Sequence, residues 1–277
     1  MIGTSNSAAQ RITSAVILSA GKGSRLYPYT ETKPKCLLDL SGRSLLEWQL
    51  DALWANGIQT ITVVAGFGGD PGARGGSRRD GKRATINLIF NPFFQVADNL
   101  GSVWMARECW KSNTLLLNGD TLVSLDLLRT LLDSAIAPIT VTVDRKPGYD
   151  ADDMKVLRED DRLVRIGKDL VECNAESIGL LAFKGSGGKT FIDLVERTMK
   201  EPAGVRVWYL SVIDQLAEEG VVGTVSIEGH GWQEVDYPAD LDAARALTAE
   251  WSARPEWASI PPIPPLLQQV GDRRDLA

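Results

Sequence analysis

The residues best suited to chemistry fall in three short stretches. Ser19-Ala20-Gly21-Lys22-Gly23, followed by Arg25 and then by Pro34-Lys35, places glycines and cations directly after an apolar run. Glycines let backbone N–H groups approach an anion closely, and successive N–H groups form a nest for phosphate oxygens. Arg25 and Lys35 add the positive charge that a triphosphate demands. Asn118-Gly119-Asp120 ends a second apolar run, and Trp232-Gln233-Glu234-Val235-Asp236 precedes a helical stretch. Ligands of open α/β sheets bind where strands end, which places Asp120 to hold a metal. Paired with Asp236, it offers the carboxylate oxygens that suit Mg²⁺. Each feature alone has a bland explanation: an ordinary turn, a tight-turn Asp, and an Asp flanking a helix that Asp240 caps more directly. The coupled set of Gly21, Gly23, Arg25, Leu26, Pro34 and Lys35 is far more specific.

Other chemistries lack their residues. His230 is the only histidine, which leaves almost no room for a His-based metal site or a Ser-His-Asp triad. Cys36, Cys109 and Cys173 are far apart and form no CxxC pair. A dinucleotide fingerprint needs glycine at position 26, which is Leu26; a P-loop ending at Gly188-Lys189-Thr190 needs glycine at 183, which is Phe183. With 30 Lys+Arg against 36 Asp+Glu, the net charge of −6 argues against a nucleic-acid partner. Residues 1–10 are small and polar, and the apolar run 15–20 is too short for a bilayer or a signal peptide. The expectation is a cytoplasmic protein without a membrane partner.

Positioning these residues requires alternating elements. Short β-rich runs predict strands over 15–20, 60–65, 84–90, 114–117 and 138–145, and amphipathic spacing predicts helices over 44–56, 100–110 and 124–135. Such alternation predicts a three-layer α/β sheet, mostly parallel, with right-handed crossovers. Residues 66–81, rich in Gly and Arg, read as a long mobile loop. Residues 147–161 read as polar and turn-rich. Strands at 163–166, 178–184 and 222–228 and helices at 189–200, 210–219 and 239–251 follow, and this second half is expected to cover the substrate side of the sheet. One catalytic domain, 14–251, then leaves a proline-rich tail, 252–277, that suits neither regular helix nor central strand.

With these motifs the sequence resembles the sugar-phosphate and phosphocholine nucleotidyltransferase family, and within it the small CTP:phosphocholine cytidylyltransferase-like enzymes. The resemblance runs from about residue 14 to about residue 251. It implies a three-layer α/β/α Rossmann-like nucleotidyltransferase fold with a mixed, mostly parallel central sheet. It also implies Mg²⁺-dependent transfer of CMP from CTP to a small phosphate- or phosphonate-bearing acceptor of the phosphocholine kind, with pyrophosphate released. The loop of Ala20, Gly21, Lys22 and Gly23 would wrap base and phosphates, Arg25 would meet the triphosphate, and Lys35 the reacting phosphates. Asn99 and Ser102 match positions beside base and ribose, with Ser19, Gly66 and Gly119 completing the nucleotide set. Asp120 and Asp236 match the metal ligands, and Lys168 and Gly179 match positions near the acceptor phosphate. For a cation–π cage around a quaternary ammonium the candidates are Tyr149, Trp208 and Trp232. Asp150, Asp152 and Asp153 suit an amine-bearing acceptor equally, or form a solvated loop. A sugar-1-phosphate enzyme using UTP, dTTP or GTP is the alternative, and the sequence leaves homo-oligomerisation open.

Overall fold

β1 (Ser14–Ser19) buries Val16 on one face and Ile17 on the other, as a parallel strand covered by helices on both sides must. The computed structural model describes residues 11–68, 77–79 and 84–261. Two short strands, β2 (Asp39–Leu40) and β3 (Arg43–Ser44), lead into α1 (Leu45–Ala55). There the Ser44 hydroxyl accepts from the Glu47 N–H and the Glu47 carboxylate accepts from the Ser44 N–H, a reciprocal cap. The chain continues through β4 (Thr60–Ala65), β5 (Ser77–Arg79), β6 (Thr85–Phe90), α2 (Asn99–Met105), β7 (Thr114–Asn118), β8 (Thr121–Val123), α3 (Leu125–Ser134) and β9 (Ile139–Asp144). It ends with β10 (Lys155–Glu159), β11 (Arg162–Ile166), β12 (Ala175–Phe183), α4 (Gly187–Met199), α5 (Tyr209–Glu218), β13 (Val222–Ser226), β14 (Trp232–Glu234), α6 (Pro238–Ser252) and α7 (Pro255–Ala258).

Ten strands form one mixed sheet in the order β10-β11-β13-β9-β12-β7-β1-β4-β6-β5. The block β7-β1-β4-β6 is parallel, as is the pair β13-β9. The fully buried β12 runs antiparallel between β7 and β9 and joins the two blocks. One side of the sheet packs against α1, α3, α6 and α7, the other against α2, α4 and α5. This is the expected three-layer α/β/α fold. Among the described residues, no helix is long and apolar enough to cross a membrane.

Three expectations are corrected. The second half of the chain does more than cover the sheet, since β10 to β13 supply four of its ten strands. Within 147–161, residues Lys155–Glu159 are a strand. Its polar residues hid it: β10 pairs with β11 along the strand and with β12 at Lys155 and Val156, yet only Val156 is fully buried. Within 66–81, Ser77–Arg79 pairs antiparallel with β6; residues 69–76 and 80–81 lie outside the described residues, as does 262–277.

The core also continues past Trp251. Pro255 starts α7 at a position where a missing N–H costs nothing, and Trp257 is 1% exposed. Its ring stacks on Trp251 with centroids 5.3 Å apart and meets Trp48 of α1 edge-on at 4.8 Å. Ile260 is buried beside them. Trp257→Ala should therefore cost about 3–5 kcal/mol, as truncation of a buried tryptophan does. The midpoint of urea unfolding at unchanged slope reads this loss. A change within about 0.5 kcal/mol, the range of surface substitutions, would remove α7 from the folded core.

Candidate functional site

The glycine loop leaves β1 at the C-terminal edge of the sheet. Gly23 takes a left-handed φ of 68°, and a Cβ there would sit 2.9 Å from the Lys35 Cβ. Only glycine lets the loop fold this closely over Lys35. The Thr30 hydroxyl donates to the Gly23 carbonyl at 2.7 Å and braces the turn. Leu26 anchors the segment in the core, while the Arg25 side chain is about half exposed.

Asp120 sits one turn beyond β7. A Cβ on Gly119 would fall 2.5 Å from the Leu18 carbonyl, so the turn can press onto β1 only with glycine there. The following strand, β8, pairs antiparallel with β14, and the Val235 N–H donates to the Asp120 carbonyl at 3.0 Å. This short ladder brings Asp236 beside Asp120. Asp240 accepts from the N–H groups of Asp236 and Tyr237 and caps α6, which leaves the Asp236 carboxylate for the cleft.

Lys35 stands between the two acids. Its Nζ lies 3.0 Å from Asp120 Oδ2 and 2.5 Å from Asp236 Oδ1, while Arg25 reaches Asp236 Oδ2 at 3.3 Å. Burial alone would lower the Lys35 pKa; the charges and hydrogen bonds of Asp120 and Asp236 outweigh it and hold the ammonium far above its ordinary value. Glu234 joins the cluster, and ligand oxygens of Asp120, Glu234 and Asp236 lie within 4.8 Å of one another. Desolvation at the cluster, reinforced by the charges of Asp120 and Asp236, pushes the Glu234 carboxyl up to about 8, although the residue as a whole is exposed. Asp120 Oδ1 is buried and, among the described residues, has no hydrogen-bond partner. An orphaned carboxylate oxygen in a set of hard oxygen donors fits Mg²⁺.

Two clefts meet at this cluster. The first, about 350 Å³, is lined by Ser19, Ala20, Gly21, Gly23, Arg25, Lys35, Asn99, Ser102 and Gly119, with Asp120 and Asp236 at its end. The second, about 510 Å³, is lined by Lys168, Gly179, Trp208 and Trp232 and shares Asn99, Asn118, Asp120 and Asp236 with the first. Two expected nucleotide residues stand apart from the lining. Lys22 lies over the Phe67 ring at 5.5 Å. Gly66 buttresses the loop, since a Cβ there would strike the Ala20 carbonyl and Phe94.

Several expected side chains are already engaged. Asn99 Oδ1 accepts from the Tyr209 N–H at the start of α5, so part of its acceptor capacity already serves a helix end. Ser102 pairs with Asn91. Gly179, at φ 73°, gives room to the Asn118 side chain. The Lys168 ammonium covers the Trp208 ring at 4.6 Å, and the Trp232 indole N–H donates to Asp144. Asp150 and Asp153 are committed to their own loop and, through Asp153, to Lys146. Asp152 instead faces both Arg25 and Lys168 at 3.8 Å and accepts from the Tyr237 hydroxyl. Sequence reasoning passed over Asn118 and Glu234, though both stand inside motifs it singled out. The period-2 spacing of Trp232, Glu234 and Asp236 was the available signal.

The chain was compared with known proteins. Residues 15–224 match the family model of the MobA-like NTP transferase domain. A bifunctional IPC transferase and DIPP synthase of Aquifex aeolicus is 24% identical over 236 residues, 84% of this chain and 51% of that protein, so the chain spans about half its length. A 2-aminoethylphosphonate cytidylyltransferase of Lancefieldella rimae is 24% identical over 83% of this chain and 91% of its own. The inositol-1-phosphate CTP transferase from T. maritima superposes with a TM-score of 0.72 at 19% identity, covering 87% of this chain and 97% of that one.

The geometry makes Lys35 the internal counter-ion of Asp120 and Asp236. Lys35→Met should let nucleotide-free protein bind Mn²⁺ roughly tenfold more tightly, the equivalent of about 1.4 kcal/mol, as read by electron paramagnetic resonance. Unchanged or weaker binding would mean that the ammonium does not compete with the metal.

Proposed function

The chain belongs to the MobA-like NTP transferase family and is a nucleotidyltransferase, and from that premise we propose that it transfers CMP from CTP to a small amine-bearing phosphate or phosphonate, releasing pyrophosphate. The observation that carries this reading is the junction of two clefts at Asp120 and Asp236. One cleft carries the glycine loop and cations suited to a triphosphate. The other sets Lys168 beside Asp152, which suits a molecule that is anionic at one end and cationic at the other. Because Lys168 already covers the face of Trp208, carboxylate hydrogen bonds to an amine fit better than an aromatic cage. The name of the Lancefieldella relative, an aminophosphonate cytidylyltransferase, points the same way.

The acceptor oxygen attacks the α-phosphorus in line. A P–O bond to the acceptor forms as the bond to the leaving pyrophosphate breaks. A phosphate monoester has its second pKa near ~6, so the attacking oxygen is already anionic near neutrality and needs no general base. The barrier is repulsion and misalignment among anions. Arg25 and Lys35 offset charge on the nucleotide side and Lys168 on the acceptor side, and the glycine loop fixes the geometry. Held by Asp120 and Asp236, with Glu234 adjacent, Mg²⁺ would supply charge neutralisation for the phosphate oxygens.

Pyrophosphate release measured with CTP, UTP, dTTP, ATP and GTP against 2-aminoethylphosphonate, phosphocholine and sugar phosphates tests the reading. CTP with an amine-bearing acceptor should lead. A tenfold advantage for UTP, dTTP or GTP, about 1.4 kcal/mol of transition-state discrimination, would move the enzyme to the sugar-nucleotide branch. Asp120→Ala and Asp236→Ala should each abolish turnover with the fold intact, and near-normal release from either would defeat the two-aspartate arrangement. Lys35→Ala should lower kcat more than it raises KM for the nucleotide, since phosphate charge shifts in the transition state. A change in KM alone would make Lys35 a ground-state contact.

A further inference from the structure

A glutamine sits where an apolar residue belongs. Gln49 lies on α1 among Leu45, Leu46, Trp48, Leu50 and Leu53, and it is 0% exposed. Its amide nitrogen donates to the Asn118 carbonyl and to the Thr121 carbonyl, each at 2.8 Å. Those two carbonyls bracket Gly119 and Asp120. Gln49 Oε1 is buried with no hydrogen-bond partner among the described residues, and an unpaired buried acceptor carries a desolvation penalty. A leucine at the same place would avoid that penalty. Violations of local packing rules collect where function needs them, and here the compensation is a pair of hydrogen bonds straddling the turn that carries Asp120.

The rest of the turn's support comes from other sides. The Thr121 hydroxyl donates to the Ile178 carbonyl, the buried Tyr209 hydroxyl donates to Asn118 Oδ1, and β14 holds the Asp120 carbonyl through Val235. Gln49 is the contact from α1, reaching up through the core beneath the turn. We infer that Gln49 is a positioning residue that fixes the Asn118–Thr121 backbone so that Asp120 Oδ1 stays aimed at the cation. The inference rests on the reading of Asp120 as a metal ligand. It assigns Gln49 no contact with substrate.

Gln49→Leu and Gln49→Met remove both donors at similar volume. Binding of Mn²⁺ to the nucleotide-free protein, followed by electron paramagnetic resonance, should weaken roughly 10–100-fold in both, the scale seen when a residue supporting a metal ligand is lost. Val195→Ala, a cavity variant on α4 in the opposite layer, should leave Mn²⁺ affinity unchanged despite its loss in Tm. Mn²⁺ affinity within about twofold of wild type in both Gln49 variants, while Asp120→Asn weakens it, would overturn the inference and leave the metal site standing. Equal weakening in Val195→Ala, or failure of both Gln49 variants to fold, would reduce Gln49 to a stability residue and overturn it too. Asp120→Asn binding Mn²⁺ like wild type would remove the metal site, and this inference with it.

Discussion

Repulsion between like charges is the constraint around which the molecule is organised. Asp120, Glu234 and Asp236 lie within a few ångströms of one another, and two clefts meet beside them. Such a cluster is stable only if positive charge is brought to it. Lys35, Arg25 and Lys168 do this with side chains from three separate parts of the chain, and Lys35 is buried deeply enough for its attraction to be little screened by water.

The fold supplies what that arrangement needs. The parallel block of the sheet ends β1 and β7 at the same edge, which sets the glycine loop opposite the Asp120 turn. The antiparallel β12 then lets the second half of the chain extend the same sheet and wall the second cleft. Small residues do work that charged ones cannot. Gly119 and Gly179 allow close backbone approach on either side of Asn118, and a methyl group at either position would collide with neighbouring atoms at 2.5 Å or less. The acids are held near the ends of elements, by Asp240 at the start of α6 and by the pairing of β14 with β8, so their own side chains carry little of the structural burden.

Much of this was legible in the sequence, and what was hidden was non-local. The first apolar runs and the helix over 44–56 announced themselves because each is buried by its own periodicity. The glycine loop and the two aspartate motifs were legible because phosphate and metal chemistry restrict the residue types. β10 was missed because only one of its five residues is fully buried, which leaves no apolar alternation to read. α7 was missed because the proline-rich tail suggested an end to packing, whereas Pro255 begins a turn whose Trp257 finds Trp48 about two hundred positions earlier. Asn99 has the composition of a base reader, but the sequence does not reveal that the Tyr209 N–H already donates to its carbonyl oxygen. Gln49 was likewise invisible, since a glutamine in a helix announces nothing until its partners are known.

The β14–β8 ladder bears on when the enzyme comes into being. Lys35 meets Asp120 across 85 positions and Asp236 across 201. Closing contacts of such span is slow relative to local structure, and synthesis delivers the N-terminal partners first. A ribosome-bound chain thus carries the glycine loop, Lys35 and Asp120 well before β14 emerges. Until then the first cleft lacks Asp236 from its lining. Under the proposed reaction, competence arrives only once β14 has paired with β8, and a chain interrupted before that strand holds one of the two aspartates alone.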